Sequence, residues 1–383
     1  MAIAALACIG TAYSAQPAPA PATAPKRPEP DAVALTLFLI GDAGKPAPGG
    51  EPVLISLRRE LEVAGARAVV VFLGDNVYPA GLPAPGQPKR AEMERRLDAQ
   101  VDAVRDTGAR VVFIPGNHDW QKGGSEGRDA VRRQEERVEQ KGGAAVTYAP
   151  TGGCPGPEPL DVSDRLRLVA LDTTWLLLAG ARAPAWARDC AIGAQAAVID
   201  ALRAANAGAQ GKDVVVVAHH PLVSGGSHGG HFGWRQHLFP LTEAKEGLWL
   251  PLPIIGSIYP LARQSGVSIE DQTSLEYQKM RDALWGALAA HPPLAWAAGH
   301  EHALQVIESE RYGRVLVSGA GIYDHEGHVA AVAGSLYQAS RAGYQRIDFL
   351  RDGTRRLGVV EVAKDGSSRE AFAKVIDPVA PPR

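Results

Sequence analysis

The sequence predicts an α/β fold joined to a second, mixed sheet, and three observations carry that reading. Near-continuous apolar runs such as "AVVVF" and "VVVV" read as strands buried on both faces. Amphipathic helical stretches alternate with these runs through the first part of the chain. Further on, short strands follow one another with few helices between them, which fits a second, mixed sheet.

The elements follow in order. "AVALTLFLIGDAG" is a strand ending in a turn, and residues Glu51 to Ala64 are a helix candidate. "ARAVVVFLGDN" is a second strand, and "KRAEMERRLDAQVDAVRDTG" is an amphipathic helix closed by Gly108, its charges forming a solvated face. "ARVVFIPGNHDW", "LRLVALDTTW" and "KDVVVVAHHP" add three strands; "PPLAWAAGHEH", "ALQVIESE", "GRVLVSGAG" and "YQRIDFL" make the later, strand-rich part.

Composition is that of an ordinary globular chain: 383 residues, 45% apolar and 21% charged. A net charge of −2 offers no basic footprint for nucleic acid, so nucleic-acid binding is not expected. The chain divides into a signal-like segment and Ala/Pro-rich spacer over 1–31, one domain over 32–365, and a C-terminal tail over 366–383.

Residues Ala2 to Gly10 and the small residues after them resemble a secretory leader, without the positive n-region; a plain apolar N-terminus is the alternative. Export to the periplasm or medium is the expectation. "ALAC", ending at Cys8, weakly resembles a lipoprotein box, against a cysteine cleaved off with the leader. With Cys8 in the leader, Cys154 and Cys190 remain, either as a disulfide between loops or as two buried thiols. No later segment reaches the ~18 apolar residues that read as a bilayer span.

An insertion near 233–275 contains "GLWLPLPIIGSIYPLA", broken by Pro251, Pro253 and Pro260. The first expectation is a covered loop packed on the domain; a lid or a membrane-facing patch are the alternatives. Membrane contact is expected only through this insertion or a lipid at Cys8.

Five polar motifs sit where strands end: "GDAG" with Asp42, "GDNVYPAG" with Asp75 and Tyr78, "GNHD" with Asn117 and His118, "AHHP" with His219, and "GHEH" with His300 and His302. Taken singly, each reads as a helix cap or polar turn. Five together, at the strand ends where α/β sheets collect ligands, point to one converging site. Nine of the 11 histidines lie in five short loops: His118; His219 and His220; His228 and His231; His300 and His302; His325 and His328. If "GHEH" is extended, His300 and His302 face one side and can each hold a different metal, with Glu301 turned away. Carboxylate, imidazole and amide oxygen suit Fe, Mn or Zn.

The ordered set resembles the calcineurin-like metallophosphoesterase superfamily, whose first motif is usually D-x-H. Here that motif is Asp42-Ala43-Gly44, so the histidine is absent. The purple acid phosphatase branch makes the same departure and places a tyrosine in the second motif, G-D-N-x-Y, where this chain has Tyr78. "GHEHALQ", "VSGAG" and "GYQRIDF" are similar to the tartrate-resistant members, and the resemblance spans roughly residues 33 to 350 apart from the insertion.

The resemblance implies a four-layer α/β/β/α sandwich of two mixed sheets flanked by helices, and a two-metal site. Asp42, Asp75, Tyr78 and His302 would hold one ion, Fe(III) by virtue of the phenolate. Asp75 would bridge to a second ion, Fe, Zn or Mn, held also by Asn117, His219 and His300. The implied reaction is attack of a metal-bound hydroxide on a small phosphomonoester, with His118 protonating the leaving group or binding the phosphoryl. Asp119 is read as an orienting group or a cap. His228 and His231, and then His220, are the candidate substrate contacts. His325 and His328 form a surface turn or line the mouth of the site. A phosphodiesterase on nucleotide or phospholipid-type esters is the rival, and a non-catalytic phosphate-binding protein a more distant one.

Overall fold

The computed structural model describes residues 26–181, 189–242 and 247–379. The leader-like segment, Cys8 and most of the Ala/Pro spacer lie outside these residues. In chain order the strands are β1 (Val33–Ile40), β2 (Ala68–Phe72), β3 (Arg110–Phe113), β4 (Val146–Tyr148), β5 (Glu158–Asp161), β6 (Leu166–Ala170) and β7 (Asp213–Val217). They continue as β8 (Ala295–Ala298), β9 (Leu304–Ser309), β10 (Gly313–Ser318), β11 (Ser335–Ala339), β12 (Gly343–Leu350), β13 (Arg355–Val362) and β14 (Ser368–Val375). The helices are α1 (Pro52–Ala64), α2 (Arg90–Val104), α3 (Gly127–Gly142), α4 (Thr173–Ala181), α5 (Gln195–Ala207), α6 (Trp234–Leu238), α7 (Ile258–Gln264) and α8 (Leu275–Leu288).

The strands form two seven-stranded sheets, ordered β14-β13-β12-β1-β2-β3-β4 and β11-β9-β10-β8-β7-β6-β5. Both are mixed: β1 to β4 run parallel, as do β6, β7, β8 and β10, with antiparallel strands at the flanks. Strand period explains the layering. Along β1, Leu37 and Leu39 enter the core between the sheets, while Phe38 and Ile40 enter the core under the helices. The same alternation places Val69 and Val71 inward and Val70 and Phe72 outward on β2. Helices therefore flank two packed sheets, as the resemblance implied.

The division of strands differs from an early and a late sheet. β6 and β7 belong to the second sheet, while β12 crosses back and pairs antiparallel with β1. The expected C-terminal tail is also revised, because β14 pairs with β13 along the edge of the first sheet. α2 ends at Val104, short of Gly108, where the Thr107 hydroxyl donates to the Val104 carbonyl at 2.6 Å. Cys154 and Cys190 form a disulfide across 36 residues, so the paired alternative holds.

The insertion departs from a covered loop. It carries α6 and α7, yet leaves large apolar side chains of residues 248–261 exposed. Polar contacts within it fix its shape: Arg263 pairs with Asp271, and the Leu252 amide donates to the Leu238 carbonyl at 2.8 Å.

Candidate metal centre

All five motifs lie just past carboxyl ends of parallel strands: Asp42 after β1, Asp75 after β2, Asn117 after β3, His219 after β7 and His300 after β8. The first three come from one sheet and the last two from the other. Two hydrogen bonds tie these loops across the seam between the sheets. The His219 Nδ1 lies 2.8 Å from the Leu73 carbonyl, and the His300 amide donates to Asp42 Oδ2 at 2.8 Å. Asp42, Asp75 and His300 all adopt positive φ, a costly conformation for non-glycine residues that tight loops impose here.

The first motif shows why its usual histidine is missing. A Cβ on Gly44 would sit 2.5 Å from the Asp75 carbonyl oxygen and 2.6 Å from the Val77 amide nitrogen. Both are backbone atoms, so no side chain fits there without moving the second loop. Tyr78 fills the position from that loop: its hydroxyl donates to Asp42 Oδ1 at 2.9 Å and lies 3.0 Å from His302 Nε2.

The remaining donors converge beside it. Asp42, Asp75 and His219 each place a ligand atom within 4.8 Å of the others. Asn117 Oδ1 stands 2.9 Å from His219 Nε2, and Asp75 Oδ1 is 3.5 Å from the same nitrogen. With Nδ1–H donating to Leu73, a protonated His219 donates Nε2–H to the Asn117 oxygen, and in its neutral form the two atoms together offer a cation two donors. This donor set fits metal ions: two buried carboxylates, a phenol, an amide oxygen and three imidazoles.

Electrostatics agree with that fit. Burial raises the Asp75 carboxyl, but the charges of His219 and His118 outweigh it and bring it down to about 2. Burial and the neighbouring His228, His220 and His219 hold His300 well below its ordinary value, which keeps it a neutral ligand. Burial, with Asp42 and Asp75, holds the Tyr78 phenol well above its ordinary value, so its ionisation demands strong local positive charge.

The "GHEH" segment is bent rather than extended. Gly299 lets the chain pass Asp42, where a Cβ would stand 2.5 Å from Oδ2, and His300 turns to φ 69°. The two rings therefore diverge: His300 packs against His219, His220 and His228, and His302 against His325. Glu301 is turned away as expected, accepting from the Ser224 hydroxyl and the Gly229 amide, both at 2.8 Å.

His118 is placed beside the donors. Its amide donates to Asp75 Oδ1 at 2.9 Å, and its Nδ1 lies 2.7 Å from the Pro79 carbonyl, leaving Nε2 at 3.9 Å from Asp75 Oδ2. Asp119 is an orienting group: its carboxylate accepts from the Gly116, Asn76 and Val77 amides and from Asn76 Nδ2, all between 2.8 and 3.1 Å. Those bonds lock the second and third loops together.

The substrate-contact expectations divide. His228 sits with its ring 4.0 Å from that of His300 and lines a cavity of about 650 Å³ shared with His300 and His302. His231 does not line that cavity, whereas His328 does. His220 departs from expectation: it is buried, with Nδ1 2.8 Å from the Thr173 hydroxyl and Nε2 2.7 Å from Glu270 Oε2. No ring nitrogen is left for a substrate.

Glu270 escaped the sequence reading, and His325 follows the second of its two readings. Glu270, from the insertion, forms with His220 and His300 a second group whose ligand atoms lie within 4.8 Å. Its carbonyl lies 3.1 Å from His300 Nε2 and its carboxylate 2.7 Å from His220 Nε2, so Glu270 orients both rings. No sequence signal marks it out in the polar stretch "SIEDQ". His325 lies with its ring 4.3 Å from that of His302 and 5.3 Å from that of Tyr78, at the edge of the donors rather than in a remote turn. The unusual "GIYDHEGH" pairing was its only signal.

The fold and this donor set define a metallophosphoesterase. The chain belongs to the calcineurin-like phosphoesterase family, whose model matches residues 35–304. No curated protein sequence matches it significantly. Among solved structures, GAP50, "the anchor in the inner membrane complex of Plasmodium", superposes with a TM-score of 0.51 at 15% identity, over 90% of this chain and 89% of that one. The purple acid phosphatase PPD1 of yellow lupin (Lupinus luteus) seeds gives a TM-score of 0.51 at 14% identity. It is matched over 88% of this chain and 53% of its own, so the chain spans about half the length of the plant enzyme. At these identities the likeness is one of fold.

Proposed function

We propose that the protein is a purple acid phosphatase-like phosphomonoesterase with a two-metal centre. The observation that carries this reading is the exchange at the first motif: Gly44 excludes a histidine, and Tyr78 brings a phenol to Asp42 instead. Asp42, Asp75, Tyr78 and His302 would hold a ferric ion, and Asp75, Asn117, His219 and His300 a second ion, Fe, Zn or Mn. When bound, such ions supply Lewis acidity, lower the pKa of water and offset charge on phosphate oxygens.

The chain's own residues do the rest. A water oxygen forms a new bond to phosphorus as the ester P–O bond breaks, its electron pair leaving on the alcohol oxygen. His118, oriented by Nδ1–H donating to the Pro79 carbonyl, would act as an imidazolium whose Nε2–H binds the phosphoryl group or passes its proton to the leaving alcohol oxygen. Asp119 keeps the Asp75 and Asn117 loops in register, and Leu73, Asp42 and Glu270 fix the two outer histidine loops.

The cavity of about 650 Å³ beside His300 and His302 supports the phosphodiesterase rival, since it has room for a second ester group. All seven donor positions here carry metal-binding side chains, which favours an enzyme over a non-catalytic phosphate binder. Export to the periplasm or medium is part of the proposal, and the Cys154–Cys190 disulfide supports an oxidising compartment. The test is elemental analysis paired with hydrolysis of 4-nitrophenyl phosphate and bis(4-nitrophenyl) phosphate across pH. Two metals per chain and a monoester preference are expected; a metal-loaded protein inert to both esters would refute the reading.

A further inference from the structure

The insertion's surface is unlike the rest of the molecule. Trp234, Trp249, Ile254, Ile255, Ile258 and Leu261 are all exposed within one short span of chain. Ile254 is 89% exposed and holds φ 69°, a conformation that a β-branched side chain resists. No burial of this side chain offsets that strain.

This surface is also built rather than loose. Trp249 packs edge-on against Phe239 with ring centroids 5.4 Å apart, and the Arg263 guanidinium donates to the Tyr259 hydroxyl at 2.8 Å while pairing with Asp271. Asp271 follows Glu270, which is itself fixed to His220. The insertion is thus anchored at the donor site while its apolar side faces out.

The apolar surface begins where the donor site ends. Trp234 and Trp249 belong to both, because they line the cavity of about 650 Å³ that His300 and His302 also line. Arg235 lines the same cavity, its guanidinium 5.6 Å from the Trp234 ring centroid, and supplies a cation there. A ligand filling this cavity needs an anionic end at the histidines and an apolar end against the two tryptophans.

We propose that the insertion seats the alkyl or acyl chain of an amphiphilic phosphate ester whose phosphate lies at the metal centre. The inference names the substrate class of the phosphoesterase reading above and rests on it. Each fully buried methylene is worth about 0.8 kcal/mol, or roughly fourfold in affinity, so even partial burial makes affinity climb with chain length.

The experiment uses non-hydrolysable phosphonates, which read binding whether or not the enzyme turns over. Ethylphosphonate and octylphosphonate are titrated calorimetrically into the metal-loaded full chain, into Trp234→Ala/Trp249→Ala, and into Trp249→Leu as a milder second variant. Octylphosphonate should bind at least about tenfold more tightly than ethylphosphonate to the wild type, falling to within about twofold in the double variant. Equal affinities in the wild type, no binding of either, or a preference that survives the double variant would each overturn the proposal. Sedimentation with phosphatidylcholine vesicles but no chain-length preference would also overturn it, assigning the patch to membrane docking. Hydrolysis of 4-nitrophenyl phosphate in the same preparations reads the phosphoesterase assignment separately.

Discussion

The Tyr78 hydroxyl lies 2.9 Å from Asp42 Oδ1, in the space beside Gly44 where backbone atoms of the next loop leave no room for a Cβ. Donor exchange and steric exclusion are therefore one feature. Gly44→His should not restore a histidine ligand; it should cost about 3 kcal/mol, the upper end for overpacking. Because the clash is with backbone, adding Tyr78→Ala should not recover the loss. Chemical denaturation of both variants checks this, and a Gly44→His/Tyr78→Ala protein with wild-type stability and metal content would contradict it.

Tyr78→Phe keeps the ring and removes the oxygen. Purified wild-type protein should show a visible phenolate-to-iron absorption band, and the variant should lose it along with much of its ferric iron. A colourless, iron-free and fully active wild type would remove iron from the proposal while leaving the phosphoesterase family untouched.

His118 and Asn117 are adjacent in sequence but should fail differently. Asn117→Ala removes the oxygen 2.9 Å from His219 Nε2 and should lower metal content and turnover together. His118→Ala should leave metal content near wild type and reduce kcat by about 10²–10⁴. Metal analysis beside steady-state kinetics separates the two, and metal loss in His118→Ala would make that residue structural.

Asp172 carries a pH dependence of stability away from the donors. It accepts hydrogen bonds from Trp120 Nε1 at 2.7 Å and the Trp175 amide at 2.8 Å, and burial pushes its carboxyl up to about 7. In the unfolded chain it ionises near 3.9, so between roughly pH 4 and 7 the folded state holds the extra proton. Its contribution is full below about pH 4 and declines as pH rises toward 7, by up to roughly 1.4 kcal/mol per pH unit. In chelated protein, wild-type stability should therefore fall relative to that of Asp172→Asn from pH 4 to 7. A wild type that gains stability relative to the variant over this range would reverse the sign of the argument.

The donor loops were legible in the sequence because each follows a continuous apolar strand, and burial of both strand faces leaves only the ends for polar work. Tyr78 was legible for the same reason, as a phenol just past β2. The bend that separates His300 from His302 was not, because it depends on Asp42 lying against Gly299, a contact across 258 residues from Asp42 to His300. Glu270 was hidden in an insertion whose fold rests on its own packing. β14 was hidden too, because "SREAFAKV" reads as a strand only once β13 offers an edge.

The seam has a consequence for how the molecule matures. Asp42, Asp75 and Asn117 arrive on one sheet and His219, His300 and His302 on the other, so neither half holds a complete coordination sphere. A cation held there would act as a rivet, completing its coordination only once the halves have docked and then opposing their parting. Metal supply in the compartment where the chain folds would set how long each molecule survives as well as whether it works.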